Sequence, residues 1–155
     1  MNTETLTHYL LELSTEGYAK DPGQKNNDGS TTIRHTSNDG KWSTVDTYWG
    51  GEPYAGCETV MHEEKPIWSL VYYGAVDSNE PDVEGVYGVL RKALANTDAS
   101  FPVRGPKELV DADMTYQNHW EGDLEHFKGQ EWILKGETEV YAASYLGGYV
   151  NQREG

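Results

Sequence analysis

Two glutamates and one arginine are the residues whose types and settings could do chemistry. Glu58 and Glu131 each lie two positions ahead of an aliphatic residue, Val60 and Ile133, on what reads as one face of a strand. If that face points inward, each carboxylate must be hydrogen-bonded or paired. Facing each other across a cleft, the two could serve as acid and base in a hydrolase or lyase, at roughly 5–9.5 Å for glycosidic chemistry. They could equally hold an arginine, or end in water. Arg104 is one of four arginines and stands between Pro102 and Pro106, which predict an extended segment with Gly105 leaving room beside it. Its planar fork suits a carboxylate or phosphate. With 26 acids in the chain, a carboxylate partner is expected from Glu58, Glu121, Asp123 or Glu131.

Aromatic residues interleave with glycines around these positions, as in Tyr48-Trp49-Gly50-Gly51, Tyr72-Tyr73-Gly74 and Tyr145-Leu146-Gly147. Small-molecule sites are mostly apolar and aromatic with a few placed polar groups. Trp49, Tyr54, Trp68, Tyr72 and Arg104 are therefore the candidate ligand-binding set, with Glu58 and Glu131 as polar orienters. The competing reading makes most of these aromatics plain core. His119, Glu121, Asp123, Glu125 and His126 have metal-ligand chemistry, but the segment reads as a solvated acidic turn, so no metal or other cofactor is expected. Cys57 reads as inert, because a reactive thiolate needs an electropositive setting. Phosphate-loop, dinucleotide, HExxH and nucleophile-elbow motifs are lacking, so the chain leans away from catalysis.

The elements that must position these groups come in two similar sets. Residues Thr44 to Gly74 lie on Thr115 to Gly147, first at an offset of 71, which puts Trp49 on Trp120. The offset then becomes 73, with Tyr54 on Phe127, Gly56 on Gly129, Glu58 on Glu131 and Tyr72 on Tyr145. Leu6, Tyr9, Leu10 and Leu13 follow the helical i, i+3, i+4, i+7 rule, as do Val83, Val86, Tyr87 and Leu90. The first helix runs to about Glu16; the second starts after Asp82 as cap. Strands are expected at Trp42 to Trp49, Cys57 to His62, Ile67 to Tyr73, Met114 to Trp120, Gln130 to Lys135 and Glu139 to Leu146. The expected fold is α+β, a mainly antiparallel sheet with two helices, built as a duplicated helix-strand-strand-strand unit with pseudo-twofold symmetry. One domain spans 1–155, with halves at about 1–76 and 80–150. Residues 21–40 are polar enough to predict a mobile loop, and 151–155 a frayed tail.

Composition narrows the partners. The 155 residues carry a net charge of −14 and no basic cluster, which excludes nucleic acid and anionic membranes as natural targets. Solubility accounts for the acidity as well as salt adaptation does. No apolar run approaches the ~20 residues of a membrane helix, and the start lacks a signal-peptide pattern. A lone cysteine suits a reducing compartment, so a cytoplasmic protein is expected. Only 36% of residues are hydrophobic, yet 5 Trp and 11 Tyr are present, which predicts an aromatic core.

Asp46-Thr47-Tyr48-Trp49-Gly50-Gly51, Tyr54-Ala55-Gly56, Pro66-Ile67-Trp68-Ser69, Pro102-Val103-Arg104-Gly105-Pro106, Glu121-Gly122-Asp123 and Phe127-Lys128-Gly129 resemble the spaced motifs of an uncharacterised prokaryotic domain family. The resemblance covers about Thr44 to Tyr149. Some members look fused behind XRE-type helix-turn-helix regulators, which implies a sensing role. It implies no catalytic residues. The first expectation is a small-molecule-binding domain; the alternatives are the Glu58/Glu131 enzyme and a protein-interaction module or homodimer through a sheet edge.

Overall fold

Alternation of buried and exposed side chains shapes the sheet, and one face of it takes nearly all the buried ones. In the computed structural model, which describes residues 2–17 and 22–153, nine strands form a single antiparallel sheet: β1 Gln24–Lys25, β2 Thr31–Thr36, β3 Trp42–Gly50, β4 Tyr54–His62, β5 Lys65–Val76, β6 Glu108–Asp111, β7 Met114–Asp123, β8 His126–Lys135 and β9 Thr138–Tyr149. Their order is β1-β2-β3-β4-β5-β9-β8-β7-β6. The fold is α+β. Two helices, α1 (Thr3–Glu12) and α2 (Val83–Leu94), lie on the same face.

Local chemistry explains both helices. The Asn2 side chain accepts from Glu4 N at 2.9 Å, and Asp82 Oδ1 accepts from Gly85 N at 2.9 Å, each satisfying an orphan amide of the first turn. Helix α1 buries Leu6, Tyr9 and Leu10, then widens into a π-helical turn over Leu13–Gly17. Beneath it lie Val60, Trp68, Leu70, Tyr72, Phe127 and Tyr145. Helix α2 covers a second cluster that includes Val76, Tyr116, Ile133 and Tyr141. The core is largely aromatic, with Trp68, Tyr9, Tyr116, Tyr141 and Tyr145 all fully buried.

Several expectations need correction. Residues 22–40 are not a mobile loop, because β1 and β2 lie in them; Asp21 falls outside the described residues. The polar side chains order this stretch themselves. Asp28 Oδ1 accepts from Ser30 N and Oγ at 2.9 and 2.6 Å, and Asn26 Nδ2 donates to Thr32 Oγ1 at 2.8 Å. Strand β6 was not expected. Of the tail, Asn151 to Arg153 are exposed without regular structure, and the last two residues lie outside the description.

The internal match also shifts by one residue in its first strand. Tyr48 lies opposite Gly56, as Trp120 lies opposite Gly129, whereas Trp49 faces Ala55. Aligning the glycines therefore matches Trp120 to Tyr48. A one-residue slip reverses every side chain in a strand, and Trp49 accordingly points away from the helices, 47% exposed.

Candidate functional site

Tyrosines lie flat across glycines on the covered face, and this brings their hydroxyls together. Tyr72 is opposite Gly56, and a Cβ on Gly56 would sit 2.3 Å from the Tyr72 hydroxyl. The ring thus crosses the empty position and donates to Asp46 Oδ1 at 2.6 Å. Tyr145 crosses Gly129 in the same manner and donates to Asn118 Oδ1 at 2.7 Å. Tyr54 crosses Gly74 and meets the Tyr141 hydroxyl.

These rings surround a buried ion pair at the seam between the two apolar clusters. Arg104 is bonded through Nη2 and Nε to Glu131, whose side chain has no exposure at all. Tyr116 donates to Glu131 Oε2 at 2.5 Å and Tyr141 to Oε1 at 3.0 Å. Arg104 Nη2 also donates to Tyr54 at 3.1 Å. Because Tyr141 spends its proton on Glu131, Tyr54 must donate to Tyr141, so the bonds run in one direction from Arg104 through Tyr54 and Tyr141 to Glu131. Charge-assisted bonds to both oxygens make this a fully satisfied carboxylate. Burial works against the Arg104 charge, yet Glu131 beside it holds the guanidinium well above its usual pKa. Burial first, and the Glu131 charge second, push the Tyr116 and Tyr141 hydroxyls far up, so both stay protonated donors.

Arg104 reaches this position with a left-handed backbone, φ +64, in place of the extended one expected. Only Gly105, the residue before Pro106, is restricted by that proline. A left-handed conformation costs an L-residue about 1–2 kcal/mol, and such outliers concentrate where the surroundings over-determine them. Here Gly105 N donates to the Tyr116 hydroxyl at 3.1 Å and Asn118 Nδ2 donates to Gly105 O at 2.9 Å, pinning the turn.

Beside Arg104 lies a second carboxylate pair. Asp46 and Glu58 are direct cross-strand partners, both buried, so their Cβ atoms are about 4.5–5.5 Å apart. Burial raises the Asp46 pKa to about 6, against the opposing pull of its Tyr72 bond and the Arg104 charge. Tyr9 from α1 bonds Thr44 at 2.7 Å; burial lifts its hydroxyl to about 12, with Glu58 adding to the rise. Glu58 and Arg104 share the wall of a cavity of about 30 Å³, closed by Leu13, Ser14, Thr97 and Val103. That volume suits one or two water-sized groups. A larger, more open groove of about 390 Å³ runs outside, between α1 and the β2–β3 turn.

The family comparison matches residues 46–150 to a domain of unknown function, DUF5680. The chain belongs to the DUF5680 family. Comparisons with curated proteins and with solved structures return no match. The match opens on Asp46 and takes in Glu58, Arg104 and Glu131, leaving α1 with Ser14 and Tyr9 outside it.

Within this DUF5680 domain the candidate residues separate clearly. Tyr54, Tyr72, Arg104 and Glu131 meet in one network, and Glu58 and Trp68 line the adjoining cavity. Trp49 does not take part, since strand alternation turns it to the opposite face. Glu58 and Glu131 share the covered face but do not confront each other. Glu58 is opposite Leu70, Glu131 opposite Ala143, and Ala143 opposite Gly74. Three strand spacings and four residues along a strand put their backbones roughly 20 Å apart, which disfavours a direct acid–base pair. Segment 119–126 is the end of β7 and a turn in which Asp123 Oδ1 accepts from Glu125 N at 2.9 Å. Among the described residues no three His, Cys, Asp or Glu side chains converge as a metal site would need. Asp46, Tyr116 and Tyr141 were not among the expected site residues. The inward alternation Thr44, Asp46, Tyr48 was the available signal for Asp46.

Proposed function

We propose that this DUF5680 domain binds a small polar molecule in the cavity walled by Glu58 and Arg104. The observation that carries the reading is Arg104 itself: a buried arginine, held left-handed, bordering a cavity that a carboxylate also lines. Its bonds to Glu131 and Tyr54 use Nε and Nη2, leaving Nη1 uncommitted among the described residues. A ligand with an acceptor for that amino group fits the chemistry. At about 30 Å³ the cavity admits only a small group until its cover moves. The cover is the π-helical turn Leu13–Gly17 with the segment around Thr97, joined by a long Ser14–Thr97 contact of 3.4 Å. Single π turns recur at functional sites, and lids of this kind open to admit ligand.

The reading includes a duplicated unit. Tyr72 and Tyr145 are direct partners at the β5–β9 junction, and the Tyr72–Gly56–Asp46 and Tyr145–Gly129–Asn118 sets flank it in like geometry. A pseudo-twofold axis through that pair relates Glu58 to Glu131. The sensing role implied by fusion to regulators in resembling proteins belongs with this reading.

Thermal-shift screening against a metabolite collection tests it, run on the native chain and on Thr97→Leu, which fills the cavity. A specific ligand at one hundred times its Kd stabilises the fold by about 2.7 kcal/mol. The expected result is a compound that raises the Tm of the native chain and leaves Thr97→Leu unmoved. No shift from any compound, or an equal shift in both proteins, defeats the proposal.

A further inference from the structure

The face of the sheet away from the helices carries a patch that the binding site does not explain. Trp49, Val71, Tyr73 and Leu146 are 47, 42, 56 and 57% exposed. Register makes them contiguous: Val71 pairs with Leu146, and Trp49 and Tyr73 both pair with Ala55. Whole aromatic side chains present about 150–250 Å² each, so these four half-exposed residues offer on the order of 400 Å² of apolar surface. That lies within the range where the largest patch on a monomer is often functional.

We propose that this patch is the interface of a face-to-face homodimer. The area fits: a standard interface takes about 800 Å² from each partner, a little over half of it apolar. The four side chains supply the apolar part, and Thr47, Cys57, Ser69 and Ser144 around them supply a neutral rim. Charge points to a second copy of this chain. Each molecule carries −14, so most juxtapositions of two copies stack acids on acids. The cross-strand neighbours of the patch are Ala55, Cys57, Lys128 and Ser144, with no acid among them. The one charge beside the patch, Lys128, is paired with Glu121 at 3.3 Å, so two copies can meet here with little like-charge contact, as an isologous pair of aligned sheets. The edges serve less well, since β1 has two residues and β6 four, and short edge strands resist pairing.

Sedimentation equilibrium of the native chain is expected to show a monomer–dimer equilibrium that tightens with added salt as repulsion between copies is screened. Leu146→Glu and Tyr73→Glu should each weaken association about tenfold or more, while Val110→Glu, exposed on edge strand β6, should leave it unchanged. The native protein provides a readout independent of any variant's folding. Cys57, next to Val71 and the sole cysteine of the chain, should react more slowly with a thiol reagent as protein concentration rises through the dimer Kd. A monomer at every concentration overturns the proposal. So does a dimer indifferent to Leu146→Glu and Tyr73→Glu, a Cys57 rate independent of concentration, or a monomer that uses this face for a different protein.

Discussion

Asp46→Asn converts the raised pKa of one buried carboxyl into a measurable slope. In the folded chain this group titrates near 6, against about 3.8 for a free aspartate. The folded state therefore holds the proton more tightly than the unfolded chain does. The stabilisation is fully present below pH of about 4 and is lost as pH rises through about 6. Just over two pKa units at 1.36 kcal/mol each gives about 3 kcal/mol. Asparagine imitates the protonated acid, and the sheet already contains that arrangement, with Tyr145 donating to Asn118 Oδ1 at 2.7 Å where Tyr72 donates to Asp46. Urea unfolding followed by tryptophan fluorescence, repeated from pH 4 to pH 7, measures both proteins. The native chain should lose about 2.4 kcal/mol more than Asp46→Asn across that range, leaving the variant the more stable at neutral pH. Carboxylates with lowered pKa, such as Asp28, Asp39 and Asp98, contribute stability that is lost only as pH falls below about 4, so they do not mask the effect. Parallel curves for the two proteins would refute the reasoning.

Arg104→Ala leaves Glu131 buried without its cation and should cost about 3–5 kcal/mol in chemical denaturation. Pairing it with Glu131→Gln should recover part of that loss, whereas additive losses would deny the coupling. Gly56→Ala places a methyl 2.3 Å from the Tyr72 hydroxyl and 2.8 Å from Thr47 O. It should cost about 1–3 kcal/mol and move the Asp46 titration to higher pH, since the Tyr72 bond that held it down is broken; an unchanged pH profile would count against this. Asn118→Asp removes the donor to Gly105 O and sets an acid opposite Glu131. A loss of about 1–3 kcal/mol at neutral pH is expected, relieved on acidification, and thermal melts at two pH values check both parts.

Much of the sheet was legible because its signals are local. Alternation in Ile67 to Tyr73 and the helical spacing of Leu6, Tyr9, Leu10 and Leu13 each report a buried face with no knowledge of the partner. The pairing of Arg104 with Glu131 was also within reach, since acids are many and arginines few. What escaped the sequence depends on register or on polar self-satisfaction. Trp49 and Tyr48 are neighbours in sequence, and nothing in their types tells which faces inward; Gly56 opposite Tyr48 decides it. Residues 22–40 looked unable to order because they hold few apolar side chains, yet Asn26, Asp28 and Ser30 close their own turn. The left-handed Arg104 was invisible because proline restrains the residue before it and not the one before that.

The two ends of the seam differ, and the difference bears on where the proposed ligand would act. In one row of the sheet Tyr116, Ile133 and Tyr141 are partners; in the other, Thr44, Val60 and Trp68. Tyr116 and Tyr141 both donate to Glu131, completing with Arg104 a carboxylate that has no further capacity. Thr44 is short and is bonded by Tyr9. Trp68 turns its indole N–H away, to Leu124 O at 3.0 Å. Beside Glu58 lies the small cavity of about 30 Å³, lined also by Leu13, Ser14 and Thr97. A packed, saturated Glu131 holds Arg104 in place, and the cavity that Arg104 borders is where the proposed ligand would meet that guanidinium.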